Sequence, residues 1–270
     1  MKLLLSVLLM ALMSSAHAER LVVAGSAVTE ILYALGAGDR IVAVDSTSLW
    51  PKAATELPSI GYVRALSAEG VLALKPDNVL LSDEAGPPAA VAALTRAVKT
   101  NRIEPFSDPG VLPERVRQLS MLVGMSDEGE RLAAQLAAQL AALRQRSDSD
   151  SRSALVILAA GNRGMMVAGR DTAAQSMLDW IGLRNTAAAL SGYKPFSREA
   201  MLALQPDVLV VAETEPGSFD LQAHPVLAAS PAGRSGRVLV ADATWLLGMG
   251  PRLPEVLQAV RSTADQGGAR

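Results

Sequence analysis

Gly61-Tyr62-Val63-Arg64-Ala65-Leu66-Ser67-Ala68-Glu69-Gly70, followed by Val71-Leu72-Ala73-Leu74-Lys75-Pro76-Asp77, is the stretch whose reading decides the fold. Ser67 is placed to cap a helix, and Glu69 falls in its first turn, where a carboxylate suits the helix dipole. Pro76 stops that helix, and the apolar run behind it reads as a strand. Ahead of the helix, Tyr62 and Arg64 are two apart, so in an extended segment their side chains leave one face, and a guanidinium beside a phenol favours the phenolate. Tyrosinate is a hard anionic oxygen suited to ferric iron and is one of the axial ligands that haem accepts. Without its arginine, Tyr62 reads as a half-buried turn tyrosine.

The same arrangement returns as Gly192-Tyr193-Lys194-Pro195-Phe196-Ser197-Arg198-Glu199, with Met201-Leu202-Ala203-Leu204-Gln205-Pro206-Asp207 behind it. Ser67, Glu69, Leu72, Leu74, Pro76 and Asp77 map onto Ser197, Glu199, Leu202, Leu204, Pro206 and Asp207 at a constant offset of 130 positions. One copy is generic helix-start chemistry, but two aligned copies indicate an α/β unit used twice. A weaker trace matches Val23-Ala24-Gly25, with its helix and Gly36, to Val167-Ala168-Gly169, with its helix and Gly182.

The chain has 270 residues, half of them apolar, enough for two filled cores. Lys2, the apolar Leu3 to Met13 and the small-residue end Ala16-His17-Ala18 have the layout of a secretory signal cleaved after Ala18, and the apolar run is too short to span a membrane. Loss of Lys2 takes the formal net charge from −2 to −3. With no basic cluster, nucleic acid is excluded as a partner. Without cysteine there is neither a disulfide nor a lipid attachment point, so a soluble periplasmic protein is expected. His224 is the one histidine of the mature chain, which excludes a multi-histidine zinc or manganese site.

Strand, helix and strand alternate from Arg20 to Val123, which implies parallel pairing. A long amphipathic helix from Ser126 to about Arg146 follows, with apolar residues at i, i+3, i+4 and i+7, and the alternation then resumes from Ala154. The expected fold is two α/β lobes with mostly parallel central sheets joined by one long connector helix: residues 1–18 signal, 19–125 first lobe, 126–147 connector, 148–270 second lobe. Were 126–147 instead the last helix of the first lobe, the serine-rich run from Ser147 to Ser151 would act as a floppy linker and predict large hinge motion.

Taken together, Gly61-Tyr62-Val63-Arg64, Ala68-Glu69-Gly70, Gly192-Tyr193-Lys194-Pro195, Pro231-Ala232-Gly233-Arg234 and Arg237-Val238 resemble the periplasmic haem-binding proteins of bacterial haem ABC importers. The resemblance covers nearly the whole mature chain, and the wider class also includes vitamin B12 and ferric-siderophore carriers. It implies a non-enzymatic monomer that carries haem b, iron protoporphyrin IX, to an inner-membrane ABC permease dimer with its ATPase. It further implies that Tyr62 ligates ferric iron, that Arg64 contacts the phenolate oxygen, and that Glu69 and Glu199 on the rims of the lobes pair with permease arginines. Tyr193 either faces the cleft or packs. Arg163, Arg170 and Lys194 are candidate partners for the propionates, Met165 and Met166 either cover a porphyrin face or fill a core, and His224 is structural. A siderophore or corrinoid carrier of the same fold would need no protein-to-metal bond. An exported hydrolase lacks support, because no nucleophile elbow or histidine constellation is present.

Overall fold

Leu21–Ala24 (β1) is four consecutive apolar residues, all fully buried, a pattern that suits only a strand covered on both faces. The computed structural model, which describes residues 18–104, 107–145, 152–159, 164–195 and 198–266, places it there. β1 lies between Ile41–Val44 (β2) and Asn78–Ser82 (β3), and Lys99–Ile103 (β4) closes the far edge, so the first sheet runs β2-β1-β3-β4 with every pair parallel. β4 is the polar edge strand of this sheet. Its register is set by β3, with Asn78 opposite Lys99 and Ser82 opposite Ile103, and an edge strand tolerates the polar Lys99-Thr100-Asn101-Arg102 that a hydrophobic reading passes over. Helices Ser26–Leu35 (α1), Ala68–Ala73 (α2) and Pro88–Ala97 (α3) lie in the crossovers, and Leu112–Leu122 (α4) follows β4.

The second sheet is built on Ser153–Ala159 (β5) and Val208–Glu213 (β9), which pair in parallel, with Val238–Asp242 (β10) parallel to β9. On the other side of β5, Met165–Ala168 (β6) and then Tyr193–Pro195 (β8) are antiparallel, and the short Arg184–Asn185 (β7) also pairs with β5. This sheet is therefore mixed. The weaker sequence trace misled on one point. β1 and β6 share a motif, but β6 runs antiparallel, and the partner of β1 in the repeat is β5.

The 130-residue repeat, by contrast, reaches into the backbone. Lys75 and Gln205 both adopt positive φ, at 50° and 32°, just before Pro76 and Pro206. Asp77 accepts the Arg20 amide at 2.8 Å, and Asp207 accepts the Ser153 amide at 2.9 Å; each aspartate amide in turn donates to the carbonyl of the same residue at 3.0 Å. Each pair fixes where a central strand starts. Ser67 caps α2 through the Gly70 amide, and the equivalent helix is Arg198–Leu204 (α7), whose Ser197 lies outside the described residues.

The helix Ser126–Gln145 (α5) runs between the two sheets, as the amphipathic pattern predicts, and buries Ala133, Leu136, Leu140 and Leu143. The serine run behind it lies outside the described residues. One apolar cluster joins Leu21, Ile31 and Leu80 of the first lobe, Leu119 of α4, Leu136 and Leu140 of α5, and Val156, Val210 and Val256 of the second. The helix Leu253–Asp265 packs on α5 and on β10. The junction is stapled at its edge by Glu30 of α1, 5% exposed, and Arg252, 19% exposed, whose guanidinium donates Nε to Oε2 at 3.0 Å and lies 4.8 Å from the Trp50 ring centroid. Removing one partner of such a buried pair strands the other charge. Glu30→Ala is therefore expected to lower unfolding stability by about 3–5 kcal/mol in denaturant titration, whereas a change below about 1 kcal/mol would mean the pair is surface-like.

Candidate functional site

Open α/β sheets bind ligands beyond the carboxyl ends of their strands, where the strand order reverses. In the first sheet that point lies between β1 and β3, and a cavity of about 270 Å³ opens there. Gly25 and Val28 at the start of α1, Ser82, Asp83 and Glu84 after β3, and Ile103 and Glu104 at the end of β4 form one wall. Ala173, Leu247, Gly248 and Met249 of the second lobe face them. The cavity is thus the floor of an interlobe cleft. Gly25 is required at its base, because φ is 130° and a Cβ would lie 2.7 Å from the Ser82 Cβ. Its amide donates at 2.8 Å to the buried Asp45, which also accepts the Ser48 hydroxyl at 2.8 Å and so holds the loop that brings Thr47 into the lining.

Tyr62 directly precedes Val63, a lining residue of this cavity, on a backbone clamped from both sides. Val63, 2% exposed, lines the cavity, and Leu66, 4% exposed, anchors the far end of the turn. The Gly86 amide donates to the Val63 carbonyl at 3.0 Å and the Leu66 amide to the Gly86 carbonyl at 2.7 Å, which ties the turn to the loop after β3. On the other side the Ser46 amide donates to the Gly61 carbonyl at 2.9 Å. Between these anchors the Tyr62 side chain is 49% exposed. Residues Val63–Ala65 form a 3-10 turn, closed by the Ala65 amide on the Tyr62 carbonyl at 2.8 Å, so the segment is extended only up to Tyr62. Arg64 therefore leaves in its own direction, and its guanidinium reaches Glu84 at 2.6 Å. That pair is more than half exposed on both sides, and such pairs contribute about 0.2–1 kcal/mol.

Tyr193 comes from β8 of the second lobe, opposite Ala168, and is 36% exposed. Burial, and then the charge of Glu84, push its phenol above the ordinary value, so Tyr193 is near enough to the first lobe to feel that carboxylate and remains protonated at neutral pH. Lys194, next on the strand, points to the other face and is exposed. Arg170 donates to the Ala189 carbonyl at 2.8 Å and lies 3.5 Å from Asp171. Arg163 lies outside the described residues. Met165 packs against the Leu155 and Val211 core, and His224 stacks on Phe219 with centroids 5.3 Å apart. Glu69 is exposed in the first turn of α2, and Glu199 sits in the first turn of α7.

Three lining features were missing from the sequence reading. Glu84 and Asp83 directly follow β3, so the strand-end rule applied to the run Asn78 to Leu81 would have found them. Arg115, 6% exposed, projects from α4 into the floor, and no local pattern distinguishes it from other helical arginines. Met249 holds φ at 52° while lining the cleft, a left-handed conformation for which a methionine gives no signal.

Residues 21–244 match the model of the periplasmic binding protein family. Among solved structures, the periplasmic haem-binding protein RhuT from Roseiflexus sp. RS-1, in apo form, is 36% identical with a TM-score of 0.83, over 92% of this chain and 99% of that one. The periplasmic haem-binding protein HutB of Vibrio cholerae is 34% identical with a TM-score of 0.80, over 90% of this chain and 98% of that one. A vitamin B12-binding protein of Pectobacterium carotovorum subsp. carotovorum is 24% identical over 247 residues, 87% of this chain and 84% of its own length. An uncharacterized ABC transporter substrate-binding lipoprotein, YvrC of Bacillus subtilis, is 25% identical over 194 residues, and this chain spans only 60% of its length.

The position of Tyr193 is open to titration. Glu84→Gln removes one of the two influences that raise its phenol and leaves burial in place. Its ionisation midpoint, followed by NMR of ring-labelled tyrosine, should fall but stay above that of a free phenol, near pH 10. An unmoved midpoint would mean that Tyr193 and Glu84 do not face each other.

Proposed function

The chain belongs to the periplasmic binding protein family, and on that premise we propose that it captures ferric haem in the interlobe cleft and delivers it to an inner-membrane ABC permease dimer with its ATPase. The observation that carries this reading is Tyr62, a half-exposed phenol on a turn whose backbone is hydrogen-bonded on both sides and whose next residue, Val63, lines the cavity. A rigid ligand atom loses little entropy on binding. Apolar lining from Val28, Val63, Ile103, Leu247 and Met249 suits a porphyrin face.

Magnitudes assign the roles. Holding an ordinary phenol of pKa about 10 as its anion at pH 7 costs about 4 kcal/mol. A solvent-exposed arginine supplies only a fraction of that, so the ferric ion itself must stabilise most of the charge. Arg64 then tunes the bond instead of creating it. Arg64→Ala is expected to keep the iron-phenolate absorption band of the hemin complex but to weaken retention several-fold and move the acid loss of the band to higher pH. An identical pH profile would remove Arg64 from the mechanism.

The family and its structural relatives are solute-binding proteins that work outside the cytoplasm, and among the described residues no helix is long and apolar enough to cross a membrane. Our reading adds a soluble monomer in the periplasm, released by cleavage near Ala18. The vitamin B12-binding relatives favour a second reading, a corrinoid carrier in which the cleft holds its ligand without a protein-to-metal bond. Calorimetric titration with hemin, iron-free protoporphyrin IX and cyanocobalamin separates the two. Haem capture through Tyr62 requires hemin to bind at least tenfold more tightly than either competitor, and tighter binding of cyanocobalamin would establish the corrinoid reading.

Docking rests on the repeat. Glu69 and Glu199 hold the same position in equivalent helices of the two lobes, and charges on a rigid two-lobed body set the register of a twofold-related partner more than they add affinity. Glu69→Ala with Glu199→Ala should leave folding and the hemin spectrum intact while reducing ATP hydrolysis and haem uptake in vesicles bearing the permease, more than either change alone. Normal uptake by the double variant would reduce both glutamates to complements of their helix dipoles.

A further inference from the structure

Glu84 is unassigned by the reading above, yet it lies where the two lobes and the proposed ligand residue meet. It lines the cavity together with Ala173, Leu247 and Met249 of the second lobe, and its Oε1 is 2.6 Å from Nη2 of Arg64. The backbones that carry Glu84 and Arg64 are held together independently of that side-chain pair. The amides of Gly86 and Leu66 bridge the two loops, and a Cβ on Gly86 would come within 3.3 Å of the Arg64 carbonyl oxygen. The Arg64–Glu84 pair can therefore open without moving either loop. Its exposure, 58% on Arg64 and 53% on Glu84, makes it weak enough to exchange for another partner.

We propose that Glu84 is a positioning residue: it holds the Arg64 guanidinium away from Tyr62 in the ligand-free protein and yields it to the Tyr62 oxygen when ferric haem binds. This rests on the reading of Tyr62 as the iron ligand. The neutral Tyr62 hydroxyl of the ligand-free protein cannot compete with the Glu84 carboxylate for the guanidinium, and loss of its proton on binding makes its oxygen an acceptor of charge-assisted strength, able to take over a pair that is weak to begin with.

The test is a double-mutant cycle on hemin affinity with the mature chain. If binding must break the Arg64–Glu84 pair, Glu84→Gln should tighten hemin binding by about 1.4- to 5-fold, the range that an exposed ion pair covers. In an Arg64→Ala background the same change should do nothing. An equal gain in both backgrounds would show plain charge repulsion between Glu84 and the ligand, and a loss of affinity would show a direct contact; either overturns the proposal. A second arm needs no haem. The Arg64 side-chain NMR signal of the ligand-free protein should be restrained in the wild type and mobile in Glu84→Gln, and equal mobility in the two would also overturn the proposal. Tyr62→Phe keeps the underlying reading separately testable. If the iron-phenolate band survives there, ligation by Tyr62 fails and the hand-over with it, whereas a band lost in Tyr62→Phe without coupling between Glu84 and Arg64 overturns the hand-over alone.

Discussion

The rest of the structure depends on one apolar core that does not stop at the boundary between the lobes. Strands of both sheets, the connector α5 and the helix Leu253–Asp265 contribute to the same buried cluster, with Leu136 and Leu140 of α5 near its centre. Opening the lobes widely would expose part of that cluster, at about 25 cal/mol for each Å² of apolar surface. The Glu30–Arg252 pair adds a charged staple at the edge. The cleft is thus a fixed crevice between two bodies that share a core, and recognition has to be carried by side chains and loops at its walls.

That rigidity gives the turn at Tyr62 its value. A ligand atom is useful when it is presented in one place, and here the buried Val63 and Leu66 and the backbone bonds to Gly86 and Ser46 hold the turn while the phenol is left out. The charged groups behave differently. Arg64 and Glu84 sit on equally firm backbone but pair through exposed side chains, so they can change partners while the scaffold stays still. The site therefore combines a phenol on a firmly held turn with an exchangeable charge.

Much of this was legible in the sequence. The repeat at an offset of 130 residues is real down to the positive φ of Lys75 and Gln205 and the aspartates that fix two central strands, because capping and strand-start chemistry are local and leave local signatures. The antiparallel direction of β6 was not legible, since an apolar run carries no record of strand direction. The direction of Arg64 was misjudged for a related reason. The i, i+2 rule holds for extended backbone, and the chain turns into a 3-10 helix at Val63, where a hydrogen bond to the Tyr62 carbonyl decides the geometry. Glu84 was legible by its position at the end of β3 but not by its pairing, because Arg64 is 20 positions away.

The central claim is that ferric haem is held through the oxygen of Tyr62. The most direct measurement is the resonance Raman spectrum of the hemin-loaded mature chain, excited within its charge-transfer band, for wild type and Tyr62→Phe. The account predicts phenolate ring modes coupled to the iron in the wild type and their complete loss in the variant. Phenolate modes that persist in Tyr62→Phe, or a wild-type spectrum without them, would contradict it.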